Sequence, residues 1–172
     1  MIEGILRGVE NFSILTWHAL YRFFQRPYYL RELSYQIDRV GVGSIFIVSL
    51  TGFFTGMVLA LQAAVQLERF GATFYVGHLV SASAIRELGP VLTALIVTGR
   101  VGSAYTAEIG AMVVGEQVDA MRMEGVDIIR KLVVARLQAC LIALPMLTVV
   151  ADLFAIMGGY IISYYQLRIG PD

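Results

Sequence analysis

Two long stretches of the chain are almost free of charged residues. Residues 40–67 carry no charge, and residues 137–167 carry only one. A transmembrane helix needs about 20 apolar residues to cross a hydrocarbon core about 30 Å thick. The pattern therefore predicts a first span at about 42–67 and a last span at about 133–163, the latter either straight or bent at Pro145.

The stretch between these two spans, residues 74–111, is apolar but interrupted by polar residues. As one α-helix it would be about 57 Å long, nearly twice the thickness of the hydrocarbon core. The pattern predicts a short helix over 74–86 that enters from the far side of the membrane. A span over 87–111 follows, bent near Gly89 and Pro90.

The N-terminal residues 1–26 place apolar and polar side chains on opposing faces of a helix. This pattern indicates a helix that lies in the membrane interface, with Trp17 and Tyr21 at the depth of the headgroups. Pro27 ends the helix, and residues 28–41 form a second short amphipathic stretch.

Composition agrees with a membrane protein, since 58% of the 172 residues are hydrophobic, only 15% are charged, and the mean hydropathy is +0.72. The predicted fold is all-α: a polytopic integral membrane helical bundle. Residues 1–41 form interfacial amphipathic helices, and residues 42–172 form a transmembrane domain of about three spans.

Lysine and arginine residues are concentrated on two segments that two crossings separate. They are Arg7, Arg22, Arg26, Arg31 and Arg39 before the first span, and Arg122, Arg130, Lys131 and Arg136 around the densely charged segment 115–131. The far-side turn offers only Arg69. The positive-inside rule therefore places the N-terminus and residues 115–131 in the cytoplasm.

Several function classes are excluded by the residues present. The 13 basic and 13 acidic residues cancel, so no basic tract suggests a nucleic-acid partner. His18 and His78 are isolated, so no metal-ligand spacing exists, and the single cysteine, Cys140, reads as a small buried residue. No phosphate-binding loop or nucleophile motif is present, so we expect no catalytic activity and no cofactor in this chain.

The segment "LTALIVTGRVGSAYTAEIG", residues 92–110, combines an apolar span with Arg100 and Glu108. These two charges lie about 12 Å apart along an ideal helix and about 80° apart around it, so each needs a partner elsewhere. Small residues recur at four-residue steps, which predicts close packing against other protein. The residues expected to mediate this packing are Gly99, Gly102, Ser103, Ala107 and Gly110.

Two interpretations of the charges in this span stay open. In one, Arg100 and Glu108 lock helices together, and in the other they line a polar path. Asp152 in the last span is a candidate buried partner of Arg100. At the mouth of the same helix, Arg86 and Glu87 either anchor the helix end or act on a substrate, because an arginine at this depth can hold a phosphate through two hydrogen bonds.

The charged segment "GEQVDAMRMEG", residues 115–125, is bracketed by glycines that mark helix breaks. The pattern predicts a short amphipathic helix. Such a helix either packs on the membrane surface or its own bundle, or docks into a groove of a soluble partner. Its candidate contact residues are Glu116, Gln117, Asp119, Met121, Arg122 and Glu124.

The stretch "RELGPVLTALIVTGRVGSAYTAEIGAMVVGEQVDAMRMEGVD", residues 86–127, resembles the central signature of the MlaE family, the permease subunits of bacterial lipid ABC transporters. "LPMLTVVADLFAIMGG", residues 144–159, resembles the next span of that family. The chain departs from the family's DP and PR motifs, which read Asp127-Ile128 and Ala135-Arg136 here.

The resemblance implies a permease subunit of an ATP-driven phospholipid transporter that maintains outer-membrane lipid asymmetry. The chain would sit in the bacterial inner membrane as a homodimer. Its partners would be cytoplasmic ATPase subunits that hold ATP and Mg²⁺, a periplasmic MCE-domain ring protein and a small STAS-domain subunit. Residues 115–125 would be the coupling helix, and Arg86, Glu87 and Leu88 are candidates for the lipid path.

Two other functions are compatible with the same residues. An ion- or proton-coupled secondary transporter would use Arg100, Glu108 and Asp152 as a relay, and a noncatalytic scaffold would use the charged loop only for docking. The absence of inverted repeats argues against the relay. Family members continue with two further spans, so we expect this sequence to lack them.

Overall fold

The computed structural model describes residues 2–23, 30–72 and 75–166, and these ranges fold into helices without strands. The α-helices are α1 (Ile2–Phe23), α2 (Leu30–Val40), α3 (Val42–Glu68), α4 (Val76–Ser83), α5 (Gly89–Val97), α6 (Ser103–Val114), α7 (Gln117–Met123) and α8 (Ala135–Gln166). Three π-helical segments join them, at Ala84–Leu88, Thr98–Gly102 and Ile129–Val134. Pro27 lies outside the described residues.

Three helical stretches of the described chain are long and apolar enough to cross a membrane: Leu30–Glu68, Val76–Val114 and Ile129–Tyr165. They confirm the predicted all-α, polytopic fold. Their large apolar side chains are widely exposed, as a surface in contact with lipid tails requires. Examples on α3, α5 and α8 are Phe46, Phe54, Leu95, Leu141, Met146 and Leu153.

The middle stretch differs from its prediction, because Val76–Val114 is one continuous helix without a break near Gly89 and Pro90. Proline lacks a backbone N–H and its ring clashes with the carbonyl four residues earlier. The π-helical segment Ala84–Leu88 widens the turn at this point, and the Gly89 N–H donates to the Ala84 carbonyl five residues back. The wider turn lets the helix continue past the proline.

Pro145 likewise lies inside α8 and does not end it. One turn later, the Thr148 hydroxyl donates to the Pro145 carbonyl at 2.7 Å. The last span is therefore one helix on both sides of the proline.

The chain divides into two compact units, each built from two separate segments. The first unit comprises residues 1–38 and 104–142, and the second comprises residues 39–103 and 143–172. This division follows contacts in space, and the predicted boundary after residue 41 stays a prediction.

In the second unit, α3 and α8 approach each other through small residues. A Cβ atom built on Gly52 would lie 2.6 Å from the carbonyl oxygen of Ala151, and one built on Gly56 would overlap the carbonyl oxygen of Ala155. Van der Waals packing of this kind holds helices together where lipid removes the hydrophobic force between them. The buried positions of α3 recur every four residues along Ser44, Val48, Gly52, Gly56, Ala60 and Ala64.

The same unit places α4 against α3. Ala60 and Ala64 of α3 form a buried apolar cluster with Val76 and Val80 of α4. Gly159 of α8 reaches the same cluster, since a Cβ there would lie 2.9 Å from the Val80 side chain. Small side chains therefore set the helix spacing throughout this unit.

In the first unit, α1 packs against the π-helical segment Ile129–Val134. Its other face exposes the large apolar side chains Leu6, Val9, Phe12, Trp17, Leu20 and Tyr21. The predicted amphipathic helix is therefore present, with an apolar face available to a membrane interface.

We predict that Gly56→Ala lowers the thermal unfolding midpoint of the protein in detergent. The added methyl group has to push α8 away from α3, and such overpacking costs about 1–3 kcal/mol. Gly77→Ala is the matched control, because a Cβ there would meet no atom within 4 Å. Equal midpoints for the two variants would contradict the close approach at Gly56.

Candidate functional site

The lipid-path candidates Arg86, Glu87 and Leu88 occupy the π-helical segment Ala84–Leu88. Arg86 and Glu87 are exposed, and no hydrogen bond or ion pair joins either side chain to the described residues. Leu88 is half-buried and lines a mostly apolar cavity among α3, α5 and α8, together with Gly89 and Thr93. Two charges thus stand free beside an apolar cavity that the third residue enters.

Arg100 lies in the second wide turn, Thr98–Gly102, and its guanidinium group reaches α3. Its Nη1 donates to the hydroxyl of the fully buried Ser44 at 2.8 Å. A Cβ on Gly43 would lie 2.9 Å from Nη2, so the guanidinium packs directly against the backbone of α3 at this glycine. The predicted pairing of Arg100 with Asp152 is therefore wrong, because the nearer α3 supplies the partner.

Asp152 of α8 instead lies against Gly89, where an added Cβ would come within 2.8 Å of its Cγ. Within the described residues its buried Oδ1 has no hydrogen-bond partner. One turn beyond Gly89, the hydroxyl of the fully buried Thr93 also lacks a partner there. Burying a polar atom without a hydrogen bond at membrane depth costs free energy. The second unit bears this cost at both Asp152 and Thr93.

Glu108 is paired within the first unit. Its Oε1 accepts from Nη2 of Arg136 at 3.0 Å, and the two side chains are 22% and 7% exposed. The guanidinium of Arg136 also lies over the ring of Tyr105, 4.8 Å from its centroid, which adds a cation–π interaction. This geometry favours the structural interpretation of Glu108 over a role in a polar path.

The small residues expected to pack this span are all exposed: Gly99, Gly102, Ser103, Ala107 and Gly110. A Cβ built on any of the three glycines would meet no atom within 4 Å. Within the described chain, helix packing through small residues therefore occurs at α3 and α8. Packing of the 99–110 stripe against another protein stays a prediction.

The charged segment forms α7, bounded by the predicted glycine breaks at Gly115 and Gly125. No residue of α7 is buried, and Met123 is 89% exposed. The Asp119–Arg122 pair has an N–O distance of 3.7 Å between widely exposed side chains, so it adds little stability. A helix with an apolar residue this exposed in an aqueous loop is open to docking.

Glu116 precedes α7 in the left-handed conformation, with φ 56° and ψ 10°. It is the only non-glycine residue with positive φ in the described chain. Outside glycine this conformation is unfavourable by about 1–2 kcal/mol, and such residues cluster at functional sites. Gly125, with φ 73°, supplies the matching turn at the other end.

Five residues that organise these contacts were not among the candidate site residues predicted from the sequence. They are Arg22, Ser44, Tyr105, Asp127 and Arg136. The position of Arg136 inside an otherwise apolar run was the available signal, since a charge there demands a partner. The others pair with residues between 31 and 105 positions away in the sequence, and no local pattern predicts such pairs.

The residues described by the structure contain no group of three His, Cys, Asp or Glu side chains that could hold a metal ion. Cys140 is a free, half-buried thiol. The remaining candidates for a functional site are the exposed Arg86 and Glu87 beside the cavity, and the exposed helix α7.

Comparison with known proteins identifies the family. The family described as Permease MlaE matches residues 33–172, which is most of the chain. The chain belongs to this family. The MlaE match contains all three predicted spans and the α7 segment.

Curated relatives are named as ABC transporter or phospholipid transport permeases. A probable ABC transporter permease protein of Rickettsia felis is 40% identical over 161 residues, covering 94% of this chain and 62% of the relative. A probable ABC transporter permease protein of Synechocystis is 41% identical over 157 residues, covering 91% of this chain and 60% of the relative. The intermembrane phospholipid transport system permease protein MlaE of Haemophilus influenzae is 44% identical over 128 residues, covering 74% and 49%. The chain thus spans about three fifths of the length of the first of these relatives.

We predict that Glu108→Ala destabilises the protein by about 3–5 kcal/mol, because it leaves the buried Arg136 charge unpaired. The double variant Glu108→Leu with Arg136→Met replaces the pair by apolar side chains and is expected to recover most of this loss. Thermal or denaturant unfolding in detergent measures both effects.

The control for this pair is Asp119→Ala, which removes one partner of the exposed ion pair and should change stability by no more than about 0.5 kcal/mol. If the double variant Glu108→Leu with Arg136→Met were as unstable as Glu108→Ala, the loss of stability would not come from the unpaired Arg136 charge.

Proposed function

We propose that the chain is the membrane-spanning part of a permease subunit in an ATP-driven phospholipid transporter of the bacterial inner membrane. The observation that carries the proposal is the family match over residues 33–172, together with the Haemophilus relative named for intermembrane phospholipid transport. The three apolar helical stretches provide spans for such a subunit. The transporter would maintain lipid asymmetry of the outer membrane.

In this proposal α7 is the coupling helix. It is unburied, it carries charges of both signs, and a strained residue and a glycine fix its two ends. A short rigid helix held at both ends passes on a push better than a flexible loop, because less of the movement is lost in bending. The positive-inside rule gives the side on which it would meet the ATPase, with the N-terminus also cytoplasmic.

ATP hydrolysis would take place on separate cytoplasmic ATPase subunits that bind ATP and Mg²⁺. The permease would form a homodimer, and the exposed 99–110 stripe supports a close contact with another helix, because small residues let backbones approach in lipid. A periplasmic MCE-domain ring protein and a small STAS-domain subunit complete the proposed complex.

For the lipid path, Arg86 and Glu87 are the candidates. Both are exposed and uncommitted within the described chain, beside the cavity that Leu88 enters. An arginine so placed can hold the phosphate of a lipid through charge-assisted hydrogen bonds. The cavity beside it, at about 10 Å³, is too small for an acyl chain, so the acyl chains would stay outside it.

A secondary transporter with an ion relay has less support. The relay requires Arg100, Glu108 and Asp152 to exchange ions with one another. Their observed neighbours are instead Ser44, Arg136 and Gly89, respectively. A noncatalytic scaffold would use α7 for docking but would leave Arg86 and Glu87 without a role.

We predict that Asp119→Lys lowers co-purification of the ATPase with the complete permease, because it reverses a charge on the docking helix. Membrane insertion should stay intact, since Asp119 contacts only Arg122. Glu10→Lys, an equal reversal on the exposed part of α1, is the control. ATPase recovery equal to that of the unchanged protein would contradict the docking role of α7.

A second pair of variants separates the backbone of Glu116 from its carboxylate. Glu116→Gly keeps the left-handed conformation, whereas Glu116→Val opposes it, because β-branched residues are poorly tolerated there. We expect the valine variant to lose ATPase binding and the glycine variant to retain more of it. Equal loss of binding in both variants, which both lack the carboxylate, would assign the contact to the carboxylate rather than to the backbone conformation.

We predict that Arg86→Ala lowers phospholipid transfer between vesicles by about tenfold, the effect of removing one charge-assisted hydrogen-bonding group. Assembly with the ATPase should persist, because Arg86 makes no contact that holds the described fold together. Arg69→Ala, in the exposed turn after α3, is the control. Normal transfer by Arg86→Ala would reassign this residue to anchoring the helix end.

A further inference from the structure

The C-terminal end of α1 is fastened to the segment that follows α7 by two side-chain bonds. Nη1 of Arg22 lies 2.5 Å from Oδ1 of Asp127, across 105 residues of sequence. Nε2 of Gln138 donates to the Phe23 carbonyl at 3.1 Å, across 115 residues. Both bonds belong to the first unit, where α1 also packs on Ile129–Val134.

The Asp127 carboxylate serves two elements at once. Its Oδ1 binds Arg22 and also accepts from the backbone N–H of Arg130 at 3.3 Å, so it caps the start of the following helix. Arg22 and Asp127 are 30% and 35% exposed, so the pair is partly shielded from solvent. Partial shielding makes an ion pair less sensitive to salt than a fully exposed one.

The connection from α7 to Asp127 is short and internally bonded. Only residues 124–126 separate Met123 from Asp127. The N–H of Gly125 donates to Arg122 and that of Val126 donates to Met121, each over 3.0–3.1 Å. A displacement of α7 therefore carries Asp127 with it, since the link has little freedom to absorb the movement.

Before Arg22, α1 presents an apolar face outwards, with Trp17 72% exposed and Phe12 69% exposed. A helix with this face is suited to lie in the membrane interface. The ion pair thus connects α1, whose apolar face fits a membrane interface, to the short segment that follows α7, the proposed docking helix for the ATPase.

We propose that the Arg22–Asp127 pair transmits movement of α7 to α1, so that α1 shifts in the membrane interface during each transport cycle. The inference rests on the proposed function, because it takes α7 as the coupling helix. Arg22 and Asp127 are then positioning residues, which tie α1 to the ATPase-driven movement.

The test uses the complete permease assembled with its ATPase in vesicles of phosphatidylethanolamine and phosphatidylglycerol. A bimane label at Trp17→Cys, with all other cysteines changed to serine, reports the surroundings of α1. The variants are Arg22→Asp, Asp127→Arg and the double exchange of both. Arg7→Asp is the matched control, since it makes the same charge change on α1 at an exposed position away from the pair.

In the unchanged complex we expect ATP with Mg²⁺ to change the bimane signal. Arg22→Asp should reduce this change and lipid transfer by about fivefold or more, the lower end of typical coupling between sites. ATP hydrolysis should continue. The double exchange should restore part of the signal, because it restores the ion pair but not the bond from the Arg130 N–H. Arg7→Asp should behave as the unchanged complex.

A bimane signal that ignores ATP in a complex that transfers lipid would overturn this inference and leave the proposed function standing. Full signal and transfer in Arg22→Asp would do the same. A complex that neither binds the ATPase nor transfers lipid would overturn both. If Arg22→Asp does not assemble, Arg22→Gln, which keeps the length of the side chain but not its charge, gives the same comparison.

Discussion

Helices surrounded by lipid tails gain no hydrophobic energy from meeting one another, so they depend on contact at very short range. In this protein that contact lies where α3 meets α8, at Gly52 and Gly56. The carbonyl oxygens of Ala151 and Ala155 occupy the space that a side chain on either glycine would need. Dispersion attraction falls steeply with distance, so this approach is what makes the second unit compact.

The same surroundings decide where charge is tolerated. Arg100 and Arg136 each reach a polar group on another helix, Ser44 for the first and Glu108 for the second. Asp152 departs from this rule, since its buried oxygen faces Gly89 without a hydrogen bond among the described residues. Arg136 is also only partly satisfied, since its Nε and Nη1 have no hydrogen-bond partner among the described residues.

The spans and the coupling segment could be predicted from the sequence because their signals are local. Length and apolarity place α3 and α8 to within a few residues, and the glycines at 115 and 125 mark both ends of α7. Such signals need no knowledge of the rest of the fold.

Partners across helices could not be predicted in the same way. Asp152 was predicted to pair with Arg100 because the two carry opposite charges. In the structure Arg100 instead donates a hydrogen bond to Ser44 on α3. Small residues at four-residue steps occur both in 99–110 and in α3, and only the three-dimensional structure tells which set is buried. An ideal helical wheel also fails across Thr98–Gly102, because the wide turn rotates everything that follows it.

The wide turns also bear on how this family can vary in length. A π-helical turn holds one residue more than an α-helical turn, as if a single residue had been inserted. Loss of one residue within Ala84–Leu88 or Thr98–Gly102 would close that turn to ordinary geometry and leave both flanking helices intact. These are therefore two places where removal of one residue from the second span would return the turn to α-helical geometry.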